Sequence, residues 1–383
     1  MNTRIAATGD EPTQVARSGC KHLNKISGEL RQNGNELPLV SVIVPCRNEV
    51  RHIATFLECM LRQERPFKIE ILIADGLSDD GTRDIIHRYS EKHPEVRVLD
   101  NPDRVVSAAL NAAIKASKGE IIIRADVHTE YASDYLLKCV DVLERTNADN
   151  VGGPWIARGD GFLSTVIATA FQSPFCVGGA HGHDPNYEGI VDTVYLGCWR
   201  RGIFDRIGLF DSTLVRNQDD ELNLRLTRCG GKVWQSAKIR SWYRPRSSLS
   251  ALFRQYSQYG FWKVRVIRKH GTPASWRHLV PACFVLTNIF LPMLSIAALF
   301  MNCSLAACAA VYAWLAMTVL YLVGCLWAAL GVLRRYGWKI AVCIPLVIGV
   351  YHFAYGIGFV LGLVSASVGA GEQAGPMFTQ LTR

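Results

Sequence analysis

Acidic residues all but vanish from the last third of this 383-residue chain. Beyond Leu279 there is one, Glu372, against Arg334, Arg335, Lys339 and Arg383. A stretch so poor in charge cannot present the solvated surface of a soluble domain. Other absences narrow the chemistry. No G-x-G-x-x-G follows the first apolar run and no G-x-x-x-x-G-K-[ST] occurs, which argues against dinucleotide and P-loop sites. The 12 cysteines include no C-x-x-C pair, so neither a zinc module nor a disulfide framework is indicated. Residues 1–36 lack the apolar core of a signal peptide. They read as a flexible tail that leaves the following domain in the cytoplasm. The net charge of +9 is scattered and forms no dense Lys/Arg stripe of a nucleic-acid binder.

What is present is segregated. Hydrophobic residues make up 49% and charged ones 20%, with the charge in front and the apolar runs behind. A soluble domain joined to a membrane-embedded tail follows.

The front alternates strand and helix. Leu37 to Pro45 is a buried strand, and Ile53, Leu57, Met60 and Leu61 share one face of the helix after it. Phe67 to Ala74 is a second strand, closing on Asp75-Gly76-Leu77-Ser78-Asp79-Asp80-Gly81-Thr82, whose glycines allow a turn before the next helix. A short strand at Val96 and a helix from Val105 to Ala116 lead to Glu120-Ile121-Ile122-Ile123-Arg124-Ala125-Asp126-Val127-His128-Thr129. This is a β-branched run ending on an acid and a histidine two residues apart. Such alternation builds a parallel doubly wound sheet, which binds its ligand at the carboxyl edge. Glu49, Asp75 and Asp126 all fall at that edge and line a nucleotide crevice there.

Two later clusters are more ambiguous. His181-Gly182-His183-Asp184 has metal-ligand residue types but reads as a solvated loop. Asp219-Asp220-Glu221 opens an amphipathic helix, where acids also satisfy the positive end of the helix dipole.

V-S-V-I-V-P-C-R-N-E, then I-A-D-G-L-S-D-D-G-T, then L-N-A-A-I-K-A-S-K-G-E-I-I-I-R-A-D, in that order, resemble the family 2 glycosyltransferases of GT-A fold over about residues 37–270. The resemblance implies a GT-A nucleotide-sugar-binding fold with a mostly parallel, Rossmann-like sheet, and inverting transfer of a sugar from a UDP-sugar. By it, Pro45 and Glu49 border the nucleotide pocket and Asp75 recognises the uracil-ribose portion. Asp126 opens the D-x-D motif, with His128 in place of the second acid. Asp126 and His128 would then hold Mg²⁺ or Mn²⁺, although such hard ions prefer carboxylate oxygen to imidazole. Aligning Leu222 and Arg225 with the family's E-D-x-D-L-x-x-R block makes Asp219 the general base, with Asp220 the alternative register. Gln218 replaces the family's Glu, which leaves the base pKa lower than in a Glu–Asp pair. Glu221, Gln258 and Trp262 fall on the acceptor or diphosphate side. The Q-x-x-R-W motif of processive synthases is not spelled out, which favours a non-processive enzyme.

Residues 37–248 are thus expected to form the catalytic domain. Residues 249–278, rich in Arg, Lys, Trp, Tyr and Phe, read as an interfacial amphipathic segment. The tail 279–369 reads as three transmembrane helices at about 279–301, 305–333 and 340–364, each long enough for the ~20 residues of a span, with 370–383 as a C-terminal tail. The basic connector 334–339 belongs on the cytoplasmic side with the catalytic domain, and three crossings then put the C-terminus outside.

Within the family the chain resembles the ExoA type of succinoglycan biosynthesis, a multi-pass inner-membrane glucosyltransferase. That implies UDP-glucose as donor and a polyprenyl-diphosphate-linked saccharide as acceptor, possible association with other polysaccharide-biosynthesis proteins, and no nucleic acid. A polyprenyl-phosphate sugar transferase, a processive synthase and a non-catalytic membrane partner of a polysaccharide assembly are the competing expectations.

Overall fold

The computed structural model describes residues 38–367 and 375–379; the expected N-terminal tail lies outside the described residues. The expected alternation is there. Strand β1 (Leu39–Cys46) is followed by α1 (Ile53–Leu61), β2 (Lys68–Asp75), α2 (Thr82–Lys92), β3 (Val96–Asp100), α3 (Val106–Ala116) and β4 (Ile121–Arg124). Helix α1 buries Ile53, Phe56, Leu57 and Met60, the i, i+3, i+4, i+7 stripe of a core-facing helix. It starts at Ile53 rather than near Glu49, because Asn48 takes a positive φ of 54° and the Glu49 N–H donates to Thr82 Oγ1.

Further along come β5 (Glu130–Tyr131), α4 (Tyr135–Thr146), β6 (Asn150–Gly153), β7 (Ile156–Ala157), α5 (Phe162–Phe171), β8 (Gly189–Ile190), β9 (Tyr195–Arg200), α6 (Gly202–Ile207), α7 (Gln218–Arg228), β10 (Val233–Gln235) and β11 (Ser241–Tyr243). Helix α4 begins four residues later than Tyr131 because Glu130 and Tyr131 pair as a strand with β11. An eight-stranded sheet runs β3-β2-β1-β4-β9-β6-β10-β8, and β5-β11-β7 form a second, smaller one. The β3-β2-β1-β4 half is parallel, with Cys46 opposite Asp75 and Ile43 opposite Arg124. This register brings the ends of β1, β2 and β4 to one edge.

Four long helices follow: α8 (Leu249–His270), α9 (Val280–Phe300), α10 (Ser304–Tyr336) and α11 (Ile344–Ser367). Three apolar helical stretches, 276–300, 304–336 and 338–367, are long and apolar enough to cross a membrane. Helices α9 and α10 form a hairpin. Phe284 stacks on Tyr321 at 4.4 Å, Trp314 Nε1 donates to Asn288, and Ser295 Oγ donates to the Ala307 carbonyl.

Helix α8 departs from the expected open interfacial helix. Its Gln255 to Val264 stretch is almost wholly buried, since the catalytic domain covers one side and α11 the other. The two helices run parallel in close contact. A Cβ on Gly260 would lie 2.0 Å from the Tyr355 carbonyl oxygen, and one on Gly358 2.0 Å from that of Ser257. Only glycine fits at such crossings.

Candidate active site

A cavity of about 1480 Å³ opens at the carboxyl ends of β1 and β4 and runs to the base of the apolar hairpin. Pro45, Glu49, Asp126, His128, Asp219 and Asp220 line its catalytic end. Lys263 of α8 and Arg277 line its middle, and Phe284, Tyr321 and His352 its far end.

The strand β4 delivers Arg124 and Asp126 together. The Asp126 N–H donates to Tyr131 Oη at 2.7 Å, and the Tyr131 hydroxyl lies 3.0 Å from the Asp126 carbonyl. This reciprocal clamp fixes the strand end. Arg124, almost fully buried, grips Asp126 through Nε at 3.1 Å and Nη2 at 3.2 Å, and its Nη1 donates to Asp219. Burial works against the guanidinium charge, but Asp126 and Asp219 outweigh it and raise its pKa. His128 Nδ1 lies 3.3 Å from Glu49 Oε1, so the acids expected from β1 and β4 meet at one place.

The three consecutive acids of α7 diverge, as a helix requires, because neighbours are turned by about 100°. Asp219 faces the cavity, with 32% of its side chain exposed. Burial pushes its carboxyl above the usual carboxylate range, Arg124 opposes this, and Asp126 and Asp220 add to it. Asp220 accepts from Lys263 at 2.6 Å. Burial alone would raise its pKa, but Lys263 holds it below the ordinary value. Glu221 turns away into full burial, where Arg225, Lys269 and His270 surround its carboxylate at 2.7–3.0 Å.

Residues 41–207 match the family model described as Glycosyl transferase family 2. The chain is 31% identical over 324 residues to the succinoglycan biosynthesis protein ExoA of Rhizobium meliloti, covering 83% of this chain and 93% of that protein. The chain belongs to glycosyl transferase family 2. It is also 25% identical over 338 residues to a dolichyl N-acetyl-α-D-glucosaminyl phosphate 3-β-D-2,3-diacetamido-2,3-dideoxy-β-D-glucuronosyltransferase of Methanococcus voltae, covering 86% and 98% of the two chains. Among solved structures, the fold resembles a mannosyltransferase of Pyrobaculum calidifontis in complex with GDP-Man and Mn²⁺. The TM-score is 0.52 at 17% identity, covering 91% of this chain and 96% of that one. This glycosyltransferase therefore has the GT-A fold and acts in polysaccharide or glycolipid biosynthesis.

Several expected site residues of the glycosyltransferase do not reach the cavity. Asp75 is fully buried and organises its own turn, accepting from the Ser78 N–H at 3.1 Å, Ser78 Oγ at 2.5 Å and Arg83 Nη1 at 3.3 Å; Asp80 lines the cavity instead. Glu221 is taken up by its cationic neighbours. Gln258 accepts from Arg216 Nε and donates to the Met377 carbonyl, and Trp262 Nε1 donates to the Phe378 carbonyl. These two hold the C-terminal segment, while the cavity face of α8 presents Gln255, Tyr256, Tyr259 and Lys263. The doubtful histidines separate too. His181 stacks on Tyr187 at 4.1 Å, whereas His183 lines the cavity, stacked on Trp155 at 5.2 Å. Burial pushes His183 down to about 4, and Arg277 adds to this.

Among the described residues no three His, Cys, Asp or Glu side chains converge as a metal cage. A GT-A cation needs fewer protein ligands when diphosphate and water complete its shell; Asp126 and His128 line the cavity as donors of the right types, with both Asp126 oxygens engaged by Arg124 and His128 Nδ1 beside Glu49. Arg124 is the functional residue that sequence reading missed. A cation at the end of the I-I-I-R-A-D run, two residues before Asp126 and on the same strand face as it, was the available signal.

Proposed function

We propose that this glycosyltransferase moves one sugar, glucose from UDP-glucose, with inversion onto a lipid-linked saccharide at the cytoplasmic face of the inner membrane, in exopolysaccharide synthesis. One observation carries the reading: a single cavity joins the Asp219 carboxylate to the base of the apolar hairpin. A sugar acceptor carried on a membrane lipid has to meet the base at such a place. The names of the Rhizobium and Methanococcus relatives support a succinoglycan-like setting and a sugar already on a lipid.

The chemistry needs a base and a stabilised leaving group. Asp219, raised in pKa and open to the cavity, accepts the acceptor hydroxyl's proton as its oxygen attacks C1 and UDP departs on the opposite face. Arg124 holds Asp219 to Asp126, so base and diphosphate end keep one spacing. Asp126 and His128 would hold a divalent cation, which when bound offsets charge on the departing diphosphate. Gln258 and Trp262, spent on the C-terminal segment, favour single transfer over a processive synthase.

The test gives membranes containing the full chain radiolabelled UDP-glucose and a polyprenyl-diphosphate-galactose acceptor, with and without Mn²⁺ or Mg²⁺. One glucose added and lost with EDTA is the expected result. A sugar-phosphate lipid or a long polymer points to the two enzyme rivals. Transfer from another nucleotide sugar replaces the donor, and binding without turnover favours a non-catalytic partner.

A further inference from the structure

Three apolar helices do not pack as three equivalents. The α9–α10 hairpin stands almost alone, with its tip open: Phe300 is 85% and Leu305 82% exposed. Helix α11 touches it only at the base. There a Cβ on Gly356 would meet the Pro281 carbonyl oxygen, Phe353 lies against Phe284, and Tyr321 Oη lies 3.2 Å from His352 Nδ1.

Everything else α11 touches belongs to the catalytic side. Near its start, Tyr351 packs edge-on against Phe171 of α5, and His352 Nε2 donates to the Cys176 carbonyl at 3.0 Å. Near its end, the Ala366 carbonyl accepts from Arg268 of α8 at 3.0 Å. Ile344, Val347, Ile348, Ala354, Tyr355 and Phe359 share one hydrophobic core with residues of α5, α8 and β11, and with Ala282, Cys325, Ala328 and Ala329 at the base of the hairpin. A helix crossing a bilayer leaves the catalytic domain behind at one end. This one keeps it at both.

Lengths agree. From Phe284 to Phe300 the hairpin rises roughly 25 Å at 1.5 Å per residue, close to the ~30 Å of a hydrocarbon core. The 33 residues of α10 extend about 50 Å, so its last third has to run beside the catalytic domain. From Gly324, which abuts the Phe175 ring, to Tyr336, which reaches Gln172, it does so. The segment 375–379 is independently on that side, with Phe378 stacked on Phe261 at 4.2 Å. The outer face of α11 is nonetheless apolar: Leu346, Phe353, Leu361 and Val364 are exposed along one stripe.

We infer that the chain crosses the bilayer twice, through α9 and α10, and that α11 lies along the lipid surface on the catalytic side. Its apolar stripe rests on the boundary between headgroups and acyl chains, continuous with the exposed hairpin, and both termini share one compartment. Two basic residues at the end of α10, Arg334 and Arg335, then sit where positive residues are retained.

Epitope tags at Met1, at Arg383 or within the turn 301–303 of the full chain, probed with protease on sealed inverted vesicles and on spheroplasts, decide it. The two terminal tags are expected to be cleaved together in inverted vesicles, and the turn tag only in spheroplasts. Retained glycosyl transfer in each tagged chain shows that the fold is intact. Terminal tags cleaved from opposite sides would mean three crossings and overturn the inference, whatever the donor or acceptor proves to be.

Discussion

Arg124, at the end of β4, donates a hydrogen bond to Asp219, at the start of α7, across 95 positions of chain. The same guanidinium holds Asp126, so one buried cation sets the distance between the two carboxylates of the site. Replacing it with methionine leaves both carboxylates uncompensated. Asp219 then loses the influence that lowers its pKa, and the acidic limb of the kcat/KM profile is expected to move to higher pH. An unmoved limb in Arg124→Met would separate Arg124 from the base.

For Asp219→Asn the expected loss is about 10²–10⁴-fold in kcat, the usual contribution of a positioned base, with UDP-sugar binding retained. Asp220→Asn breaks the pair with Lys263 instead and costs less activity. If the two variants exchange these phenotypes, the register of the helix start is wrong; single-turnover kinetics with both, alongside UDP binding by calorimetry, distinguish them.

The wild-type profile itself carries a sign. Burial raises the Asp219 pKa above the ordinary ~3.9 of aspartate, and the base works only when deprotonated. Activity is therefore expected to fall, as pH is lowered, through a pKa above that ordinary value. A limb at or below it would mean that a different carboxylate accepts the proton.

Glu221 serves stability. Its pKa is lowered, chiefly by Arg225 and Lys269 against the opposing effect of burial. That stabilisation is present above the unfolded value of ~4.3 and is lost as pH falls through the folded one. Glu221→Gln is expected to destabilise the chain by about 3–5 kcal/mol at pH 7, the scale for breaking a buried ion pair. The gap from wild type narrows below pH ~4. Thermal melts in detergent across that pH range measure both.

His128→Asp restores a second carboxylate beside Asp126. The variant is expected to work better with Mg²⁺ relative to Mn²⁺ than the wild type does, since hard ions favour oxygen. Initial rates after EDTA treatment and re-addition of each ion provide the comparison. An unchanged ratio would place the cation away from position 128.

The parallel half of the sheet was legible because buried β-branched runs and helical stripes repeat there: the run that begins at Val40 and Ile69 recurs at Ile121 in the same register. The meeting of Glu49 and His128 beside Asp126 followed from where those strands end. Asp75 was a fair candidate by position, but Ser78 and Arg83 take its carboxylate, and nothing local says which way a turn acid points. Arg124 lay hidden because a cation in an isoleucine run reads as a strand terminus, and its partner Asp219 is contributed by a distant helix. The packing of the tail was not legible for a related reason. Hydropathy reports that α11 is apolar, but the notches at Gly356, Gly358 and Gly362 that seat it against Pro281, Ser257 and Phe261 depend on neighbours far away in sequence.

Helix α10 runs without a break from Ser304 to Tyr336, and that continuity makes it a gauge. One end stands with the hairpin tip and the other against Gln172 of the catalytic domain, so Asp219 is kept at a set height from the lipid. For an acceptor held by its lipid, the hydroxyl that reacts is the one carried at that height. With the proposed lipid-linked acceptor, a glycan one sugar too short or too long would present its hydroxyl out of register with Asp219, so the fixed length of α10 would select acceptors by length.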